Sequence, residues 1–143
     1  MKGSNVNRMV FLRPPMLASG IRTLQRLRNT GPQLRTMITG NVLANVPHDL
    51  RDEQSDVLLS VPNVRIERIV SIGHASPADE WYGQDRAEWV LLLAGSAALI
   101  FEGEAEPILL EPGSYLHIPA HARHRVAWTD RSVATIWLAI HYQ

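Results

Sequence analysis

An all-β protein, with antiparallel strands closing into a sandwich or barrel, is the fold class this sequence predicts. Three observations carry the prediction. Between residues 64 and 142 short apolar runs alternate with Gly, Pro, Asn and Asp turn signals every eight to twelve residues, giving about seven strands. No helical pattern lies between those runs, and their connections are too short to carry a chain over a parallel sheet. The chain has 143 residues, 45% apolar and 20% charged, which suits a single globular core.

The first 36 residues stand apart. They hold seven Lys and Arg and no acid, so a net charge of zero conceals a basic leader on an acidic remainder of seven basic and fourteen acidic residues. The leader has no periodicity and is broken by Pro14, Pro15 and Pro32. Arg13-Pro14-Pro15 interrupts the only stretch with a signal-peptide flavour. An organelle transit peptide stays open on composition. The reading preferred is a disordered tail, or an upstream extension preceding a start at Met37, that adds little to the fold. Residues 37–143 would then be the folded domain.

Its elements follow in order. After Pro47, "HDLRDEQSDVLLS" predicts a short helix over about 49–60, with Asp49 as cap, acids in the first turn and Leu50, Val57 and Leu58 as buried stripe. "VPN" at 61–63 ends it. "VRIERIVSI" alternates, with Val64, Ile66, Arg68 and Val70 on one parity and Arg65, Glu67 and Ile69 on the other. "EWVLLLAG" and "SAALIF" form a hairpin about Gly95, and "EGE" turns into "PILL". "EPG", "PAHA" and "DRS" then separate "SYLHI", "RHRVAWT" and "VATIWLAIHY".

Two motifs within these strands resemble those of the cupins. In the first, Glu88 is followed by six residues and Gly95, while Tyr82 and Gln84 occupy the places of the family's paired histidines. In the second, Gly113 is followed by five residues and Pro119, and His124 stands where the family has a metal-binding histidine, with His121 in place of a glycine. The chain is also similar, through "ERIVSIGHASPADEWYGQDRAEWVLLLAGSA" and "IPAHARHRVAWT", to a group of small bacterial cupins. The resemblance implies a jelly-roll barrel (a double-stranded β-helix) over about 64–142. It further implies a divalent metal, zinc, iron, nickel or manganese, held by Gln84, Glu88, His124 and His121, with Tyr82 as a further candidate. The pocket would hold a small polar molecule. Any catalysis would be metal-dependent, of oxygenase or isomerase type; the fold alone names no reaction.

The residues read by themselves leave a second course open. Residues two or four apart on a strand share a face, so Tyr82, Gln84 and Glu88 would line one wall, followed by apolar Val90 and Leu92. Glu88 and His124 could then form a metal-free hydrogen-bonded pair in a ligand-binding or accessory module. His74 reads as a loop residue, His48 as part of the helix start, His117 as facing either way, and His141 as a rim or interface residue. Trp89 points away from Glu88, and it or Trp137 would suit a homodimer contact; Trp128 could form part of the pocket wall. Arg123 and Arg125 would flank His124 on the opposite face as solvated charges or ion pairs.

The absence of cysteine excludes disulfides and thiolate chemistry and fits a cytoplasmic protein. No apolar run is long enough for a membrane span. There is no phosphate-binding glycine loop, and neither a nucleotide nor a flavin is expected. The scattered basic residues lack aromatic interleaving and a helix-turn-helix pattern, so nucleic acid is not the expected partner.

Overall fold

The computed structural model describes residues 23–26 and 36–143, with side chains from residue 37. The described residues contain ten strands: β1 (Thr23–Arg26), β2 (Thr36–Thr39), β3 (Gln54–Val61), β4 (Val64–Ser71), β5 (Ala87–Ala94), β6 (Ala97–Phe101), β7 (Ile108–Leu110), β8 (Tyr115–Ile118), β9 (His124–Thr129) and β10 (Thr135–Tyr142). A five-stranded sheet in the order β3-β4-β10-β5-β8 faces a three-stranded sheet, β7-β6-β9, and β1 and β2 form a separate pair. All pairings are antiparallel. The two larger sheets pack through Val90, Leu92, Ala97, Leu99, Leu110, Ile118 and Trp137. This is the arrangement of a jelly roll, with apolar residues alternating inward along each strand.

The helix expected over 49–60 is not formed. Residues 54–61 are β3, joined to β4 by the two-residue loop Pro62-Asn63 and paired along the length of β4. The capping signal at Asp49 is local and worth about 1 kcal/mol. A hairpin partner offering a ladder of backbone hydrogen bonds overrides it. The register shifts between Val57 and Leu59, so Leu58 is the extra residue of a bulge.

Most of the basic leader lies outside the described residues. The part described, Thr23–Arg26, forms β1 against β2, with Thr23 opposite Thr39 and Arg26 opposite Thr36.

The five-stranded sheet has two faces of different character. Trp137, Ala139 and His141 of β10 align with Leu92, Val90 and Glu88 of β5, so all of them point into the barrel. Trp137 is 4% exposed and donates its indole N–H to Ser71 Oγ at 3.2 Å. It is therefore a core residue, and the expectation of a dimer contact at Trp137 is corrected. Trp89 does face outward, stacked on Tyr115 with ring centroids 5.8 Å apart. Arg68, placed by parity among apolar residues, is buried on this outer face beside Asp56 at 2.5 Å. Its guanidinium also donates to the carbonyls of Val42 (3.3 Å) and Ala44 (2.7 Å), which fastens the segment before β3 across the sheet.

Candidate functional site

Glu88 is the second residue of β5 and lies 9% exposed at one end of the core, followed on its own face by Val90 and Leu92. His124 opens β9 on the facing sheet and is 6% exposed. Its Nε2 stands 4.0 Å from Glu88 Oε2. Its Nδ1 lies 3.0 Å from the Ala122 carbonyl. A carbonyl only accepts, so Nδ1 carries the hydrogen and Nε2 presents its lone pair towards Glu88 in the neutral ring. Phe101 packs against the imidazole at a centroid distance of 5.7 Å.

Tyr82 and Gln84 reach this site by a different route from the one expected. β5 begins at Ala87, so the two residues do not extend it. They lie on the long connection from β4, which runs along the free edge of β9. Ser76 N–H donates to the Val126 carbonyl, and Tyr82 and His124 exchange both backbone bonds, at 2.7 and 3.0 Å. That bridge sets Tyr82 beside His124, with centroids 6.1 Å apart, though the phenol ring is 45% exposed. Gln84 donates from Nε2 to Glu88 Oε2 at 2.8 Å. The Gln84 carbonyl accepts from His121 N–H at 2.8 Å.

Gln84, Glu88 and His124 thus come together, with Tyr82 at the edge. His121 does not join them. Its side chain is 74% exposed and its Nδ1 lies 3.7 Å from Asp85. Its backbone has φ +65°, in the left-handed region where the family motif carries glycine. The position serves the turn between β8 and β9. Among the described residues no group of three His, Asp or Glu is gathered closely enough to hold a metal ion.

Sequence reasoning missed a second polar group on the inner face. His141 is the cross-strand partner of Glu88 on β10, and Arg65 of β4 is the partner of His141. His141 Nε2 lies 3.4 Å from Glu67 Oε2, and Arg65 pairs with Glu67 Oε1. The expectation of a rim or interface role for His141 is corrected: its side chain is 17% exposed, and that of Glu67 5%. Burial pushes the Glu67 carboxyl upward, but the His141 hydrogen bond and the Arg65 charge outweigh it and hold the group below the usual carboxylate range. The parity of Glu67 with Ile69 hinted at an inward position. Only the strand register reveals its neighbours.

Other residues are outside this centre. The shift between Ala98 and Leu99 turns Trp128 to the outer face, 42% exposed, so it is not pocket wall. Arg123 pairs with Glu102 at 2.5 Å, and the Arg125 guanidinium lies over Trp81 at 5.3 Å. His117 stacks on Tyr142 at 6.2 Å. His74 accepts from Ile72 N–H at 2.8 Å in its loop. His48 precedes β3 without a helix.

No protein-family model and no curated protein matches the chain. Solved structures do. A protein from Ralstonia eutropha, provisionally named a mannose-6-phosphate isomerase, is 47% identical, with a TM-score of 0.72 over 73% of this chain and 97% of that one. A cupin superfamily protein from Desulfitobacterium hafniense superposes with a TM-score of 0.59 at 20% identity over 85% of this chain and 98% of that one. The DMSP lyase DddQ of Ruegeria pomeroyi gives 0.56 at 20% identity over 69% and 51%. At that identity the last two show the fold alone. The chain belongs to the cupin superfamily. Among the described residues no helix is long and apolar enough to cross a membrane.

Proposed function

We propose that the barrel pocket binds a divalent transition metal through Glu88 and His124, with the side-chain amide of Gln84, which donates to Glu88, able to turn its oxygen to the ion, and receives a small polar molecule there. One observation carries this reading. The bare Nε2 of His124 and an oxygen of Glu88 face each other 4.0 Å apart, too far for a hydrogen bond and about twice a metal–ligand distance of ~2.0–2.2 Å. The tie from Nδ1 to the Ala122 carbonyl is the outer support that ligating histidines commonly have. The donors, imidazole nitrogen with carboxylate and amide oxygen, suit zinc, iron, nickel or manganese. A bound ion would polarise an oxygen of the small molecule as a Lewis acid. The R. eutropha protein carries an isomerase name, which favours isomerisation over oxygenation as the chemistry to assay first.

Two ionisable donors are few for a resident ion. A metal-free pocket that binds a small polar molecule is the second reading, and it is favoured because no three His, Asp or Glu among the described residues are gathered closely enough to hold an ion. Elemental analysis of untagged protein, with Glu88→Ala and His124→Ala, decides between them. Near-stoichiometric metal lost in both variants supports the first. No metal after exposure to zinc, iron, nickel and manganese supports the second.

A second copy of the chain is the partner we assign to the outer face at Trp89, where the indole and Tyr115 leave apolar surface half open. The reading also keeps the protein in the cytoplasm, in accord with the lack of cysteine.

A further inference from the structure

The polar part of the inner wall does not stop at Glu88. Strand register carries it across two further strands: Glu88 of β5 lies opposite His141 of β10, and His141 lies opposite Arg65 of β4. Cross-strand partners share a face, so Arg65 stands on the wall that Glu88 occupies. Directly opposed residues are about 4.5–5.5 Å apart at Cα, which puts the Cα atoms of Arg65 and Glu88 about 10 Å apart. One row deeper into the barrel, Ala139 and Val90 are apolar and buried. The row from Glu88 to Arg65 is therefore where this wall changes from packed core to polar surface.

The two ends of the row differ in charge. The Arg65 guanidinium pairs with Glu67 through one nitrogen, and 45% of its side chain stays in solvent. Glu67 has a second partner in His141, at 3.4 Å, so it does not depend on Arg65 alone. Arg86 adds a second cation at this end of the sheet. Its Nη2 donates to the carbonyl of Pro62, in the β3–β4 turn, at 3.1 Å, and it meets no carboxylate among the described residues. Two guanidinium groups thus stand against the single carboxylate of Glu67. A guanidinium stays charged at any ordinary pH and carries five N–H donors, of which these contacts use few. At the other end of the row Glu88 is a carboxylate, 9% exposed, with no cation of the chain in direct contact other than the imidazole 4.0 Å away.

We infer that Arg65, with Arg86 behind it, is the anion-recognising end of the pocket, and that the ligand is an elongated hydroxylated molecule with a phosphate or carboxylate at one end. Its hydroxyl groups lie at Glu88 and His124 and its anionic group at Arg65. The inference deepens the proposed function: it rests on the ligand pocket there and not on the metal. Hydrogen bonds of ~2.9 Å at either end of a row of about 10 Å leave about 4 Å to bridge, the length of a chain of a few carbons. The planar fork of Arg65 matches the paired oxygens of a carboxylate or phosphate.

Titrations followed by amide chemical shifts test this on the whole protein, with glycerol 3-phosphate against glycerol and gluconate against sorbitol. The anionic member of at least one pair is expected to bind ten times more tightly or better, and the pair that discriminates tells phosphate from carboxylate. Arg65→Gln should abolish the preference, Arg65→Lys should keep part of it, and Arg86→Gln should weaken it. Thermal melts show whether each variant is folded. Arg86 has no buried partner, so Arg86→Gln keeps the test decisive if Arg65→Gln unfolds. Equal affinity within both pairs overturns the inference. So does a preference that survives Arg65→Gln and disappears in Glu88→Ala, because the anion then lies at the Glu88 end. Inorganic phosphate binding as tightly as glycerol 3-phosphate also overturns it, as the mark of a surface cation outside the pocket. No response to any probe defeats the pocket and the inference together. A wild type free of metal that keeps an Arg65-dependent preference defeats the metal reading alone.

Discussion

Arg68→Met removes a cation whose side chain is 5% exposed from an Asp56 carboxylate that is 12% exposed. Two bonds from Arg68 to Asp56, at 2.5 and 3.0 Å, are lost with it. The carbonyls of Val42 and Ala44 lose their donor. Stranding one partner of a buried ion pair costs about 3–5 kcal/mol. Asp56 keeps some access to water and the freed carbonyls can turn towards solvent, so the lower end, about 3 kcal/mol, is expected. For a chain of this size each kcal/mol lowers Tm by about 2–4 °C, giving about 6–12 °C. Thermal and urea melts followed by tryptophan fluorescence read the loss. Amide exchange at 42–46 should rise well beyond that elsewhere, because Arg68 is what fastens this segment to the sheet. The double variant Arg68→Met, Asp56→Leu should recover most of the stability, since replacing both charges by apolar groups is often neutral. A loss below about 1 kcal/mol in the single variant, or a double variant no better than the single, would refute the reasoning.

Further expectations concern the turns, the inner carboxylates and the outer face. Gly95→Ala places a Cβ 2.7 Å from Thr135 Cα at φ +75°, so it should destabilise by more than the ~1–2 kcal/mol of left-handed strain alone, as a thermal melt would show. His121→Gly should raise Tm or leave it unchanged and leave metal content untouched, because the residue occupies a glycine-like backbone position and its side chain faces solvent. Glu67 has a lowered folded-state pKa, so its contribution to stability is complete above the ordinary Glu value of 4.5 and is lost as pH falls through the lower folded value; Glu67→Gln should flatten that acid limb in urea melts run across pH. Glu53 shifts the other way: burial raises its pKa against the Ser71 hydrogen bond and the His74 charge, so its ionisation costs stability at neutral pH and Glu53→Gln should stabilise there. Trp89→Glu should shift the protein towards monomer in sedimentation velocity if the outer face joins two copies.

The strands from 64 to 142 could be read directly because each is short, alternating and bounded by turn residues, features local in the chain. The two motifs were legible for the same reason: fixed spacing places Glu88 at the start of a strand and His124 after a turn whatever the rest of the chain does. β3 was misread because a capping acid and a few apolar residues look alike in either state over so short a span, and the deciding partner, β4, acts through backbone bonds that composition does not reveal. Trp128 was misjudged because one bulge reverses every parity beyond it.

The sequence by itself therefore determined the fold class, the seven strands from 64 to 142 and the pairing of Glu88 with His124, all of which follow from spacing along one or two strands, whereas β3 entered the sheet only through its partner. Tertiary structure alone decided that Tyr82 arrives by a bridge to β9, that His121 stays in solvent, and that His141, Glu67 and Arg65 line up beside Glu88. The physical reason is register. Which residue of β10 lies opposite Glu88 depends on the ladder joining strands about fifty residues apart in the chain, and a slip of one position would turn His141 to the outer face.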